Sequence, residues 1–442
     1  MPFNIFGANS VSGYTVKNSL RFNSGSSDVL TRTPASTSGN QIFTVSMWVK
    51  RANLGGSTIF YAYQDGNNAD AIGFNGTDNS FQVAFYDGGA YTVNLITTQL
   101  FRDVSAWYHF VVAIDTTQAT NTNRAKLYVN GTQVTAFSTA TYPSQNATVT
   151  FNKNVFHVLG AGYYGSYSDY CNIYLSEVNW ITGQQLTPSS FGETDTLTGI
   201  WKPKAYTGTY GTNGFYLKFA NSASLGTDSS GNGNNFTVNN LTSVDQTTDT
   251  PTNNFCTLNG LFPSSTTLTE GNLALSGTSK SANGTFGFTS GKWYFETKVT
   301  AVGGNAYIGI VDDTWLKTDS SWSLSQIWVY VSDGNKYGNG SSTSYGATYT
   351  TGDIIGTAVD MDNGTITFYK NGTSQGTAFN TGISGKLMFP WIYAGTSSYN
   401  INFGNPSYTS NGYTDGAGYG NFSYSVPSGY YSLCTKNLAN FG

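Results

Sequence analysis

The chain has 442 residues, 10% charged and 15% aromatic, with 52 Gly, 31 Tyr, 28 Phe, 9 Trp and a net charge of −4. Abundant aromatics and scarce charge exclude a disordered chain. The four glutamates (Glu177, Glu193, Glu270 and Glu296) are too few for a coiled coil, and glycine shows no three-residue period that would suggest collagen. The length predicts two or three domains, and a pI near 5.1 without a basic stripe predicts no nucleic-acid partner. No stretch of 18 apolar residues predicts membrane insertion.

The opening Met1-Pro2-Phe3-Asn4-Ile5-Phe6 has neither a basic nor a long apolar region, so no secretory signal is expected, and residues 1–14 read as an N-terminal arm. Short alternating runs follow, as in Phe43–Val49 and Phe81–Phe85. Lys126–Val129 runs into Asn130-Gly131, which predicts a type I′ hairpin because both residues tolerate positive φ. Thr187-Pro188 predicts a capped helical turn, and Phe215–Phe219 a further strand. Residues 221–255 are rich in Asn, Ser, Thr, Asp and Gly and read as a linker, with Phe236-Thr237-Val238 as a candidate short strand. Beyond it, Trp293–Val299, Tyr307–Val311 and Thr365–Tyr369 alternate, and Asn371-Gly372 marks a second hairpin.

The two hairpins sit in one longer pattern. Val112 to Asp115, the Asn130-Gly131-Thr132 turn and Ala136-Phe137 match Val359-Asp360, Asn371-Gly372-Thr373 and Ala378-Phe379. The expectation is an all-β chain of two antiparallel β-sandwich domains in tandem, over 15–220 and 256–442, built on one plan. Cys171, Cys256 and Cys434 lie too far apart for a disulfide framework or a metal motif and read as buried thiols.

In the second half, Gly291-Lys292-Trp293-Tyr294-Phe295-Glu296, Tyr307–Val311, Gly352–Asp360, the Asn371-Gly372 hairpin, Met388-Phe389-Pro390-Trp391 and Ile401-Asn402-Phe403-Gly404 come in order. Together they resemble the SPRY (B30.2) domain. Pro427–Tyr430 and Leu433–Leu438 look like a tail extension of phage-encoded SPRY proteins. In the first half, Ser19–Phe22, Phe43–Val49, Trp107-Tyr108-His109-Phe110, the Asn130-Gly131 hairpin and Leu175–Val178 resemble the laminin-G/concanavalin-like lectin sandwich, a jelly roll. The pairing resembles structural proteins of tailed bacteriophages. It implies a non-enzymatic virion protein (tail fibre, head fibre or capsid decoration), made in the host cytoplasm and exposed on the particle. Its partners would be other virion subunits, further copies of itself, and a host-surface glycan or protein. A glycan-binding adhesin is the alternative, and a polysaccharide depolymerase a weaker one.

Glucanases of the concanavalin-like fold need paired carboxylates, whereas Glu177 and Glu296 each stand alone in a strand pattern. Asp360 and Asp362 read as a turn, and His109 and His157 as structural histidines in strands. Gly160-Ala161-Gly162-Tyr163-Tyr164-Gly165 fits a dinucleotide fingerprint by letter, but no helix follows. No cofactor is expected. Calcium is the metal option that the lectin resemblance implies, with Asp65, Asn67 and Asp70 as oxygen donors and Asp312-Asp313 as a weaker pair. Aromatic rings among small polar residues make good contact surfaces. The candidate rim rings are Tyr163, Tyr164, Tyr167 and Tyr170 in the first domain, and Trp315, Trp322, Trp328, Tyr330, Tyr337 and Tyr345 in the second.

Overall fold

A computed structural model describes residues 13–261, 268–304, 306–314, 326–338 and 340–442. The alternating runs form strands because one face of each buries apolar side chains while the backbone pairs sideways. The only α-helix among the described residues is Thr435–Phe441, and none is long and apolar enough to cross a membrane.

The first sandwich packs two eight-stranded sheets face to face. One runs from the edge hairpin Ala125–Val129 and Thr132–Gln133 through Trp107–Asp115, Ile42–Arg51, Ile173–Thr182 and Ser19–Phe22 to Gln246–Thr247, and Phe215–Leu217 also pairs with Ile173–Thr182. The other runs from Phe137–Thr141 through Ala90–Leu100, Ser80–Asp87, Asn68–Phe74, Ser57–Asp65, Phe156–Leu159 and Val29–Arg32 to Thr237–Asn239. Trp180 centres the core: it stacks on Phe43 at 5.4 Å and meets Phe60, Phe151 and Phe215.

The second sandwich packs Ala274–Ser276, Ser398–Asn402, Lys292–Ala301, Ile354–Asp360, Thr365–Lys370 and Thr373–Phe379 against Ser281–Asn283, Met388–Tyr393, Tyr307–Asp312, Ile327–Val331 and Asn335–Gly338. Its outer face is wrapped by the C-terminal tail. The Glu296 carboxylate accepts N–H bonds from Ser423 and Tyr424, and Asp415 accepts from Ser432 and Asn437.

The repeated pattern is a repeated structure. In each sandwich the turn asparagine exchanges two hydrogen bonds with the first strand: Asn130 with His109, and Asn371 with Ile354. Asn130 and Asn371 have φ of 47° and 49°, and their glycines 83° and 77°. An added Cβ would strike Trp201 at Gly131 and Tyr424 at Gly372, so a ring lies on each turn. The copies then diverge. Thr373–Phe379 stays beside Thr365–Lys370, whereas Phe137–Thr141 crosses to the opposite sheet.

Residues 221–255 are not a free linker. Thr237–Asn239 pairs with Val29–Arg32, Gln246–Thr247 pairs with Ser19–Phe22, and Leu225, Phe236 and Leu241 enter the first core. The polar composition misleads because its side chains satisfy backbone groups in place of water. Asp228, for one, accepts the N–H groups of Tyr216, Ser230 and Asn234. Pro188–Ser190 is a 3₁₀ turn, but Thr187 makes no cap: its hydroxyl pairs with that of Ser189.

This segment ends in the seam between the sandwiches. Lys50 Nζ lies 2.8 Å from the Asp249 carboxylate, with both side chains buried, and also donates to Asn254 Oδ1 and the Phe255 carbonyl. Trp107 Nε1 donates to the other Asp249 oxygen. Tyr174 donates across the seam to the Gly271 carbonyl, and Asn272 to that of Ala52.

Candidate functional site

The outward face of the Ser57–Asp65 sheet carries an unusual side-chain pattern. The register aligns Tyr61, Ala71 and Ala84 in one cross-strand row, and Tyr63, Ala69, Tyr86 and Tyr91 in the next. Small side chains between large ones leave a groove. Ala69, Ala71 and Ala84 form its floor, Tyr61, Tyr86, Tyr91 and Tyr164 its walls, and Asp65 lies at one end, enclosing about 320 Å³.

Tyr164 reaches this groove from the hairpin Gly162–Tyr163 with Tyr167–Ser168, where Gly165 at φ 85° makes the turn. Its ring meets Tyr61 edge-on at 5.2 Å and stays 66% exposed, while Tyr91 is 54% exposed and sits edge-on to Tyr86 at 5.2 Å. Behind them, Tyr163 packs on Tyr63 and Phe156, and Tyr167 bridges Tyr163 and Tyr170. Burial raises the Tyr61 and Tyr167 hydroxyls above the ordinary phenol range, so both are neutral donors near pH 7. The Asn67 N–H and the Asn68 amide hold Asp65 below the usual carboxylate range, so it is an ionised acceptor. Exposed rings, an apolar floor and one acceptor suit the C–H faces and hydroxyls of a sugar.

The four first-domain rim tyrosines therefore converge, with Tyr164 and Tyr167 exposed. Tyr61, Tyr86 and Tyr91 were missed. They lie on strands whose alternation gives each a face, but only register reveals that the faces coincide. In the second domain, Trp328 and Tyr330 are fully buried on the central strand Ile327–Val331 and are not rim groups. Tyr330 packs in the core with Tyr345, Tyr349 and Phe368, because that strand is covered on both faces. Tyr345 is half-buried there, and Tyr337 packs on Tyr307. Trp315 and Trp322 lie outside the described residues.

Asp65, Asn67 and Asp70 do not face one point. Asp65 sits in a surface turn with Asn67, whereas Asp70 points into the core and accepts the Phe151 N–H at 2.6 Å. Asp65 ends one strand at the turn, whereas Asp70 lies in the next strand opposite buried Ala62, on the face that looks into the core. No cluster of three metal-ligating side chains occurs among the described residues. Asp312 pairs with Lys386, Asp360 with Lys292, and Asp362 accepts the Gly291 N–H.

Both histidines are neutral and occupied. Trp201 Nε1 donates to His109 Nδ1, which places the proton on Nε2 facing Ser46 Oγ, and burial pushes the ring down to about 3. His157 accepts the Asn152 N–H on Nε2 and donates from Nδ1 to the Val155 carbonyl, with burial pushing it down to about 4. Glu177 sits at a bulge with φ 51° and accepts the hydroxyls of Tyr14 and Tyr216, each at 2.8 Å. The three cysteines are free and buried.

Two family descriptions match this chain: the concanavalin A-like lectin/glucanases superfamily over residues 23–190, and the SPRY domain over 292–406. The chain carries both domains. The groove thus belongs to the concanavalin-like sandwich, and the tail wraps the SPRY sandwich. The Ran-binding proteins 9/10 homolog of Drosophila melanogaster is 34% identical over 93 residues, 20% of this chain and 10% of that protein. Human Ran-binding protein 9 matches at the same identity and length, over 13% of its own chain. The match thus spans a small part of these relatives. Among solved structures, the SPRY domain of human HERC1 aligns at 21% identity and TM-score 0.29, covering 33% of this chain and 96% of that one. A SAP-like pentraxin from Limulus polyphemus aligns at 14% identity and TM-score 0.30, covering 40% and 80%.

Proposed function

We propose that this chain is a non-enzymatic virion structural protein that binds neighbouring subunits and holds a host-surface glycan in the tyrosine groove of its concanavalin-like sandwich. The observation that carries the glycan part is the alanine floor between exposed Tyr91 and Tyr164. The virion setting is supported by the resemblance of the domain pairing and by a low-charge, aromatic-rich composition suited to contact surfaces. Binding without hydrolysis is supported by the carboxylates. Glu177 and Glu296 lie in different sandwiches, each held by hydrogen bonds of the fold.

The test is retention on a panel of host-envelope polysaccharides, with reducing ends measured in the same assay. Retention without cleavage is expected, along with at least a tenfold loss in the double variant Tyr91→Ala/Tyr164→Ala, since each stacked ring contributes about 1 kcal/mol or more. Release of reducing ends, or full retention by the variant, refutes this reading. An adhesin whose main task is glycan recognition is the second reading, favoured by the same groove. Incorporation of the protein into particles separates the two.

A further inference from the structure

The tyrosine groove holds a charge that a plain sugar does not answer. Among the described residues lining it, Asp65 alone bears a formal charge, and no lysine, arginine or histidine joins it there. The Asp65 oxygens accept from the Asn67 N–H and the Asn68 amide, neighbours in its own turn that bring no positive charge. The side chain stays part-exposed and open to a ligand. The next turn is joined to this one by the Gly88 N–H on Asn68 Oδ1 and the Gly89 N–H on the Asn67 carbonyl. It brings a second carboxylate, exposed Asp87, to the same end of the sheet. Lys153 donates to Gln64 Oε1 at 3.3 Å and does not line the groove.

The walls point the same way. Tyr61 with Tyr164, and Tyr86 with Tyr91, are edge-on pairs whose planes meet at 62° and 72°. Rings at such angles form corners rather than one flat platform. A corner lets more than one ring act on a single cation, which the negative π face attracts. A sugar carboxylate would meet Asp65 with no cation between them. A neutral sugar would cover the carboxylate without offsetting the water it loses. A positively charged amine satisfies the carboxylate and the rings together.

We propose that the groove selects sugars bearing a free, positively charged amine, with Asp65 as counter-ion and the tyrosine corners around the ammonium. This rests on the reading of the groove as a glycan site and names the class of glycan it takes.

The test titrates the full chain, by calorimetry at low salt, with matched oligosaccharides. Glucosamine is set against glucose and galactosamine against galactose, with the N-acetylated forms as a second neutral control. In at least one series the amine form is expected to bind about tenfold more tightly than its neutral counterparts, the sum of cation–π contact and an exposed ion pair. Asp65→Asn keeps an acceptor for the Asn67 N–H and is expected to erase that preference. Tyr91→Ala/Tyr164→Ala is expected to weaken every form. Equal affinity for charged and neutral forms in both series overturns the proposal. If that binding is lost in the double tyrosine variant, the glycan reading still stands. A preference that survives Asp65→Asn also overturns the proposal, since the net charge of −4 then attracts the amine without the groove. So does absence of binding in both series, and the envelope-polysaccharide panel then decides the glycan reading separately.

Discussion

Asp70 shows how one residue's role depends on which face of a strand it takes. Its carboxyl is buried against the Phe151 N–H, and burial pushes it from 3.8 up to about 8, with Lys153 opposing the shift and Asp87 adding to it. The folded chain therefore keeps a proton that the unfolded chain releases above about 4. Its stabilising contribution is complete at low pH and is lost as pH rises toward 8, at about 1.4 kcal/mol per unit. Asp70→Asn keeps an acceptor for Phe151 and removes the titration. Urea denaturation at pH 5 and pH 8 is expected to show a smaller stability loss in the variant than in the parent. An equal loss in both would refute the buried, protonated Asp70. The same dependence on facing explains Trp328 and Tyr330. Aromatics among Ser, Asn and Gly read as a rim, but a central strand covered on both faces buries every one of its residues.

At the scale of elements, the Asn-Gly turns were legible because their chemistry is local. Positive φ at two consecutive residues admits few side chains, and the structure uses Asn130 and Asn371 identically. What the local pattern could not show is the reach of each asparagine past its own hairpin to the strand before it, 21 residues back for Asn130 and 17 for Asn371. Asn371→Ala is expected to cost about 2 kcal/mol, because alanine tolerates positive φ less well than asparagine and the side-chain hydrogen bonds with Ile354 and Asp353 are lost. Thermal melting would then fall by roughly 4–8 °C. A melting point unchanged within a degree would mean the turn is not under this constraint. The groove is the converse case. Tyr61, Ala71 and Ala84 align only through register, which joins strands whose pairing no single segment encodes.

At the scale of the whole molecule, the seam decides whether two sandwiches behave as one. The Lys50–Asp249 pair is buried and carries three further hydrogen bonds from or to Asn254, Phe255 and Trp107. Removing one partner of such a pair costs about 3–5 kcal/mol, because the other charge stays buried alone. Lys50→Met is expected to split one calorimetric transition into two, as each sandwich melts without the other. A single transition at the parent's temperature would show that the seam does not couple them.

By itself the sequence determined the fold class, the strands with strong alternation, both Asn-Gly hairpins, the duplicated plan and the resemblance to two sandwich families. All of these rest on neighbours within a few residues, where periodicity and turn chemistry act directly. Only the tertiary structure decided that residues 221–255 pack into the first sandwich and the seam, that Asp65 and Asp70 diverge, and that eight tyrosines gather at one sheet face. Those outcomes depend on which strand lies beside which, and such long-range pairings are selected by burial across the whole chain rather than by any local run.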